Sequence, residues 1–430
     1  MSSLPEGVEL TELDGGLRVV TETVLSVRSV ALGLWVRTGS RDETPDHAGV
    51  SHFLEHLLFK GTERHSAIGI SELFDGMGAA VNAATSKEST HLHARMLDEH
   101  VAEAFDLASE MFLEPALPPD EIDSEREVVL EEIAMYEDEP QDRVHDVLAE
   151  AIFGEHPLGR RVLGTAEVIG SIPVPEIAAY HRARYTAPGI VVAAAGHLDH
   201  GQIVALAREH VRPPANSSAS PNGAVDGEAV RFRFYPKETE QYHVCFGGPG
   251  IARDDERRYA LSVLDSAFGG SVSSRLFTEV REKRGLAYAV GSYTEQYVDS
   301  GLVALYVGTR EDNVAEACEI IGRELARLRD SGLSEDELQR AKEHIKGRMV
   351  LSLESTSARA SRIARGVLFD VPVLSIDEML GRVDAVTAED VSELAQELYD
   401  PARLSAACVG PDEECFRAAA GHVSEALAVI

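Results

Sequence analysis

The chain carries two diverged copies of one sequence pattern, and this repeat restricts it to folds built from two similar halves. Val101-Ala-Glu-Ala recurs as Val314-Ala-Glu-Ala, and each tetrapeptide continues into an amphipathic run. Further along each copy, Leu117-Pro-Pro-Asp-Glu-Ile has a counterpart in Leu333-Ser-Glu-Asp-Glu-Leu. Because one copy lies in each half of the chain, the repeat predicts two units of ordinary domain size rather than one large core.

The boundary between the copies is predicted from composition. Residues 213–228 are rich in Pro, Ser, Asn and Gly, which is typical of a linker. The sequence therefore predicts a first half at 1–212 and a second half at 229–430.

Strand and helix patterns alternate within each half. Residues 30–36 and 301–307 are short apolar runs that predict strands, whereas 98–112 and 311–328 have the spacing of amphipathic helices. This mixture predicts an α+β fold in which each half is a sheet with helices packed against it.

His52, Glu55 and His56 form the pattern H-x-x-E-H, which is the inverted zincin motif. An apolar stripe at i, i+3, i+4, i+7 and i+8 predicts a helix here: Val50, Phe53, Leu54, Leu57 and Leu58. On that helix the two histidines and the glutamate share the opposite side. Zinc catalysis needs this combination, because imidazoles bind the metal and a carboxylate can take a proton from water.

A third metal ligand must come from elsewhere, and the acidic segment 122–136 offers four glutamates. Four of its residues share one helical stripe: Glu125, Val128, Val129 and Glu132. A carboxylate on an apolar stripe needs a metal or a cation as its partner, whereas solvent accounts for Glu127 and Glu131 on the other side. Either Glu132 or Glu125 is therefore the predicted ligand, with the other close by.

These motifs resemble those of the pitrilysin/insulinase family of zinc metallopeptidases, in particular the branch of the mitochondrial processing peptidase and its bacterial homologues. The resemblance covers nearly the whole chain. It implies a Zn²⁺ ion held by His52, His56 and a glutamate 76 positions after the second His, which is Glu132 here. It also implies that Glu55 is the general base and that Glu125 supports the ligands. The implied architecture is two homologous halves that form a clamshell around a peptide-binding chamber.

The second copy lacks a corresponding metal set, because Arg348 and Ala341 stand where the first copy has its two glutamates. A peptidase must also stabilise the oxyanion that forms on the substrate carbonyl, and a Tyr or an Arg can contribute to this. The resemblance implies that Arg281 and Tyr288, seven residues apart, contact the substrate from the second half.

Small residues dominate the segment 78–85, which reads Gly-Ala-Ala-Val-Asn-Ala-Ala-Thr. At a sheet edge, small side chains let a peptide backbone approach closely and add as a strand. The resemblance implies that Asn82 and Ala83 bind the substrate in an extended conformation.

Composition excludes several function classes. With 40 Lys and Arg against 73 Asp and Glu, the net charge of −33 argues against nucleic acid as a partner. The charge would suit basic peptides, although solubility is the simpler explanation. No apolar run is long enough to span a membrane. The N-terminal residues lack the features of a signal or transit peptide, and the four cysteines have no disulfide spacing, so a cytoplasmic location is expected.

The sequence thus predicts a zinc-dependent endopeptidase that hydrolyses peptides or unfolded segments. The alternative is a non-catalytic core or partner subunit of a related processing complex. A protein that only binds or braces has no need of Glu55, so the intact motif favours the enzyme. Relatives of this size work as two-chain particles, and the resemblance therefore implies a homodimer.

Overall fold

The computed structural model of the chain describes residues 4–214 and 229–428, which form two compact units by their internal contacts. The first unit comprises the described residues within Met1–Ile133, Arg161–Asn222 and Leu351–Ser375. The second comprises those within Ala134–Arg160, Gly223–Val350 and Ile376–Ile430. Most of the predicted linker 213–228 lies outside the described residues, so the predicted boundaries stay a prediction.

Eleven strands are present in the described residues. In chain order they are β1 (Val8–Glu12), β2 (Arg18–Thr23), β3 (Ser29–Val36), β4 (Ala80–Thr85), β5 (Thr90–Leu97), β6 (Ile190–Gly196), β7 (Phe232–Pro236), β8 (Tyr242–Pro249), β9 (Ala287–Gln296), β10 (Gly301–Thr309) and β11 (Ser405–Gly410). The two strands predicted from apolar runs correspond to β3 and β10.

Sixteen α-helices accompany the strands in the same part of the chain. They are α1 (Val50–Leu57), α2 (Ala67–Gly76), α3 (Val101–Leu113), α4 (Pro119–Asp138), α5 (Pro140–Phe153), α6 (Ala166–Ser171), α7 (Val174–Arg184), α8 (His200–His210), α9 (Arg258–Phe268), α10 (Glu311–Ser331), α11 (Glu335–Ser352), α12 (Thr356–Leu368), α13 (Ile376–Ala385), α14 (Ala388–Leu398), α15 (Glu413–Val423) and α16 (Glu425–Ala428). The helices predicted at 98–112 and 311–328 correspond to α3 and α10.

The two sheets have the same topology, which confirms that the halves are homologous. The sheet of the first unit has the order β1-β2-β6-β3-β5-β4, and the sheet of the second has the order β7-β11-β8-β10-β9. In each sheet one pair is parallel, β2 with β6 and β7 with β11, and the remaining neighbours are antiparallel. Apart from the extra strand β1, the two orders correspond strand for strand, so the fold is α+β as predicted.

Each unit includes one helix from the other half of the sequence. In the second unit α5 packs against β7, β8 and β11, and in the first unit α12 packs against β2, β3 and β6. The buried Glu22 carboxylate on β2 pairs with Arg359 and, at 3.0 Å, with Arg362 of α12. Because a buried carboxylate costs several kcal/mol without a partner, these two arginines help to hold α12 on the sheet.

Three features set the start and orientation of α1, the helix that carries the H-x-x-E-H motif. Gly49 precedes it with a φ of 94°, and a Cβ at that position would lie 2.6 Å from the carbonyl oxygen of Leu163. The buried Glu43 carboxylate accepts hydrogen bonds from the N–H groups of Gly49 at 2.7 Å and Ser51 at 2.8 Å. Phe53 is fully buried in the core. A glycine-only turn, a carboxylate cap and a buried face therefore fix the helix in one orientation.

Across 4–214 and 229–428, no helix combines the length and apolar character that crossing a membrane requires. The four cysteines form no disulfide, and three of them are buried.

Candidate metal centre

The two histidines of the motif lie on one side of α1, away from the apolar side that enters the core. His52 is buried and His56 is half-buried, and their rings meet edge to face with centroids 4.7 Å apart. Phe53 and Leu54, between them in sequence, are fully buried on the core side. The 3.6-residue period of the helix thus separates the metal-binding side from the packing side.

Glu132 of α4 approaches both histidines. Its Oε2 atom lies 3.4 Å from Nε2 of His56 and 3.7 Å from Nε2 of His52. One ligand atom from each of the three side chains can be chosen so that all lie within 4.8 Å of one another. Ligands about 2.1 Å from a tetrahedral ion lie roughly 3.4 Å apart, so this set has the size and chemistry of a zinc site. Three protein ligands are also the number found in catalytic zinc sites, where water or substrate takes the fourth position.

Glu125 supports the centre from two turns earlier on α4. Its Oε1 atom lies 2.8 Å from Nδ1 of His56, and its Oε2 atom pairs with the Lys60 ammonium. This contact favours the tautomer of His56 in which Nδ1 carries the proton and Nε2 is free to bind a metal. Nδ1 of His52, by contrast, is buried without a hydrogen-bond partner among the described residues.

The protonation of the histidines follows from their surroundings. Burial lowers the pKa of His52 to about 4, and the neighbouring His56 adds to this, so His52 is neutral at neutral pH. Burial would also lower the pKa of His56, but hydrogen bonds to Glu132 and Glu125 outweigh it and raise that pKa. The hydrogen bond to His56 is the main reason why the pKa of Glu132 is lowered. A metal would replace the proton that His56 shares with Glu132.

Glu55 lies on α1 between the two histidines in sequence and is half-buried. Burial raises the pKa of its carboxyl group, and hydrogen bonds from Thr85 on β4 offset part of that effect. Neither Thr85 nor Lys60 was predicted to act at this centre. Thr85 is the last residue of the segment 78–85, for which a substrate role is implied. Lys60 is four residues after His56, and this spacing is the one sequence signal that could have indicated a role for Lys60.

The predicted stripe on α4 is correct except at Val128. Glu125 is buried, Glu132 is half-buried, and Glu127 and Glu131 are exposed, as their helical positions predicted. Val128, however, is 49% exposed. The buried stripe is centred on Ile122, Val129 and Ile133, so that Glu132 lies at its margin and Val128 just beyond.

Arg281 and Tyr288 contact each other in the second unit. Arg281 belongs to a π-helical turn, Phe277–Glu282, and its guanidinium lies over the rings of Tyr288 and Phe277, at 4.5 and 4.7 Å from their centroids. Its Nη1 donates a hydrogen bond of 2.8 Å to the carbonyl oxygen of Tyr288. Tyr288 lies on β9 with 80% of its surface exposed. The pair is thus accessible, and its role in catalysis stays a prediction.

Asn82 and Ala83 lie on β4, which is the last strand of its sheet, and α1 packs against this strand. Asn82 is exposed, and its Oδ1 accepts a hydrogen bond of 2.9 Å from the N–H of Ala83. The segment with the implied substrate role is therefore an edge strand beside the motif helix.

Comparison with protein-family models divides the chain into two matches. Residues 18–166 match the model described as insulinase, peptidase family M16, and residues 171–345 match the model of the peptidase M16 inactive domain. The three candidate metal ligands fall in the first match, and Arg281 and Tyr288 fall in the second.

Curated relatives match along most of their length. An uncharacterized zinc protease of Streptomyces coelicolor is 43% identical to this chain, and the match covers 94% of this chain and 90% of the relative. An uncharacterized zinc protease of Bacillus subtilis is 42% identical, and the match covers 89% of this chain and 94% of the relative. Among solved structures, a protease from Helicobacter pylori has a TM-score of 0.88 at 22% identity over 95% of this chain and 100% of its own. A peptidase M16 inactive domain from Pseudomonas fluorescens has a TM-score of 0.86 at 21% identity, over 94% and 98%.

The geometry predicts which carboxylate binds zinc. Glu132→Gln should lower the zinc content of the purified protein from close to one ion per chain to near zero, because an amide oxygen is a much weaker ligand than a carboxylate. Glu131→Gln changes the exposed neighbour on the same helix and should keep the metal. Elemental analysis of both variants checks this, and the opposite pattern would show that the wrong carboxylate is assigned.

Proposed function

This chain belongs to the insulinase family of M16 peptidases, and we propose that it is a zinc-dependent endopeptidase that hydrolyses peptides or unfolded segments. The observation that carries the proposal is the convergence of His52, His56 and Glu132 on one point, with Glu55 on the same helix as the two histidines. This arrangement holds two neutral donors, one anionic donor and a candidate base, which is the set that a hydrolytic zinc site requires.

In the proposed mechanism His52, His56 and Glu132 hold the ion, and Glu125 keeps His56 in the metal-binding tautomer. When bound, zinc supplies a Lewis acid that polarises the scissile carbonyl and makes water acidic enough to lose a proton at neutral pH. Glu55 takes the proton from the attacking water and then passes it to the leaving amine. Glu55 is not one of the three proposed ligands, so its carboxylate can take this role while Thr85 donates hydrogen bonds to it.

An extended peptide is the proposed substrate form, and β4 is the proposed docking strand. As an edge strand, β4 has one side available to pair with another chain. The N–H of Ala83 is bonded to the side chain of its neighbour Asn82, a partner that a substrate carbonyl could replace. Because α1 packs against β4, a peptide on this edge would lie close to the helix that carries Glu55.

Arg281 and Tyr288 are proposed to stabilise the oxyanion on the substrate carbonyl. Stacking between two rings holds the guanidinium of Arg281, while the phenol of Tyr288 is exposed. A fixed cation and an accessible O–H donor are suitable groups for this task.

The alternative, a non-catalytic subunit, has no use for the complete set of ligands and base. Zinc analysis of the purified protein, combined with a peptide-cleavage assay with and without a chelator, separates the two functions.

Glu55 is the residue whose replacement tests the mechanism. Glu55→Gln should keep zinc but lower peptide cleavage by about a hundredfold or more, because the amide cannot accept the proton of water. Glu127→Gln, an exposed glutamate on α4, serves as the control and should cleave normally. Cleavage at the normal rate by Glu55→Gln, with zinc bound, would refute the role of Glu55 as base.

The contribution of the second half is tested with Tyr288→Phe. Loss of one oxyanion donor should lower kcat by up to roughly 10²–10³-fold, with zinc content and thermal stability unchanged. Tyr259→Phe is a matched control, since Tyr259 lies in the same unit and also has an arginine, Arg258, over its ring at 4.8 Å. Equal activity of both variants would remove Tyr288 from the mechanism.

A homodimer is the proposed assembly, as the family resemblance implies. Light scattering of the full chain at assay concentration should then report twice the chain mass of 46.5 kDa. A mass of one chain throughout the concentration range of the assay would exclude this proposal.

A further inference from the structure

We propose that Lys60 is a positioning residue of the metal centre and that it acts through Glu125 on His56. The three side chains form a continuous row: Lys60 pairs with Oε2 of Glu125, and Oε1 of Glu125 lies 2.8 Å from Nδ1 of His56. The inference rests on the proposed zinc site and adds to it a residue that touches no ligand directly.

The backbone explains why Lys60 reaches this place. The last turn of α1 continues past its end, because the N–H of Phe59 bonds to the carbonyl of His56 at 3.2 Å and that of Lys60 to Leu57 at 3.1 Å. These bonds carry the chain through about one further turn, and the side chains of Lys60 and His56 both reach Glu125. Gly61 follows with a φ of 112°, a conformation that favours glycine, and turns the chain away. Lys60 is thus held at a fixed point rather than on a long flexible loop.

The burial of Glu125 gives the contact its importance. Glu125 is only 6% exposed, whereas the side chain of Lys60 is 27% exposed. A buried carboxylate needs a donor for each oxygen, and here each oxygen has one. If the ammonium is removed, one oxygen loses its partner and the carboxylate can rotate towards water. His56 would then lose the acceptor that sets its tautomer and ring orientation.

A competing electrostatic effect has the opposite sign and makes the inference testable. A cation near a zinc site repels the ion, so removal of the Lys60 charge would by itself strengthen zinc binding. The positioning role predicts the reverse, because misplacing a ligand weakens the site. Residues that hydrogen-bond directly to a metal ligand usually change metal affinity by about 10- to 100-fold when they are replaced. Lys60 acts on such a residue, Glu125, so displacing Glu125 should give an effect within this range, and we expect the positioning effect to dominate.

The experiment measures the zinc dissociation constant of the full chain by competition with a chelator. Lys60→Arg keeps both the charge and the donors and should bind zinc nearly as tightly as the wild type. Lys60→Gln keeps a neutral donor and should be intermediate. Lys60→Met removes both and should bind about 10- to 100-fold more weakly. Melting of the metal-free variants checks that the fold is retained.

Lys346→Met is the matched control. The side chain of Lys346 is 20% exposed and pairs with Asp384 at 2.8 Å, and both residues belong to the second unit, on helices that carry no candidate ligand. This variant should bind zinc as the wild type does, which separates a local effect from a general loss of a lysine–carboxylate pair.

Each outcome decides the inference. The order Arg, Gln, Met in decreasing affinity supports it. Tighter zinc binding in the Gln and Met variants would mean that Lys60 acts only through its charge. Unchanged binding in all three variants would mean that Lys60 has no role at the metal centre. Either result overturns the inference but does not affect the proposed function as a zinc enzyme. Wild-type protein that binds no zinc would overturn the proposed function and this inference together.

Discussion

The meeting of two glutamates of α4 with two histidines of α1 is the interaction on which the candidate site depends. Oε2 of Glu132 lies within 3.7 Å of Nε2 of both histidines, and Oε1 of Glu125 lies 2.8 Å from Nδ1 of His56. Burying carboxylates and imidazoles together costs free energy unless each finds a hydrogen-bonding or charged partner. Apart from Nδ1 of His52, which has no partner among the described residues, the imidazoles and carboxylates here pair with one another, and a bound cation would add a further partner where the three ligand atoms converge.

Packing keeps the two helices in register so that this contact can form. Arg126, next to Glu125 on α4, lies over the ring of Phe53 at 5.3 Å and donates a hydrogen bond of 2.9 Å to the carbonyl of Ile172. Phe53 in turn is adjacent to His52 and fully buried. A cation over an aromatic ring adds a modest attraction, but its geometry ties the position of α4 to that of α1. The Glu43 cap and the glycine before α1 then leave this helix little freedom to slide.

The second copy shows that the scaffold and the metal site are separable. Its sheet repeats the strand order of the first, yet Arg348 and Ala341 occupy the positions of the two glutamates. The core of a copy depends on buried apolar side chains, which α11 supplies with Leu338, Ala341 and Ile345. The metal set depends on polar residues at the margin of the stripe, and these could be lost without loss of the fold. What the second copy offers instead is the stacked Arg281 beside an exposed Tyr288.

Local periodicity made much of this protein predictable from its sequence. The motif helix, the strands at 30–36 and 301–307 and the shared helical side of Glu125 and Glu132 follow from patterns that span fewer than about ten residues, over which the geometry of a helix or strand is fixed. The repeat follows from comparing such short patterns between the two halves of the chain. Only the tertiary structure decided the rest. The helices α5 and α12 belong to units formed mainly by the other half of the sequence. Val128 is exposed because the buried stripe of α4 is centred on other residues of that helix. Lys60 contacts Glu125, which is 65 residues away in the chain. Such contacts join residues far apart in the chain, and their geometry is set by how whole helices pack, which no spacing within one helix contains.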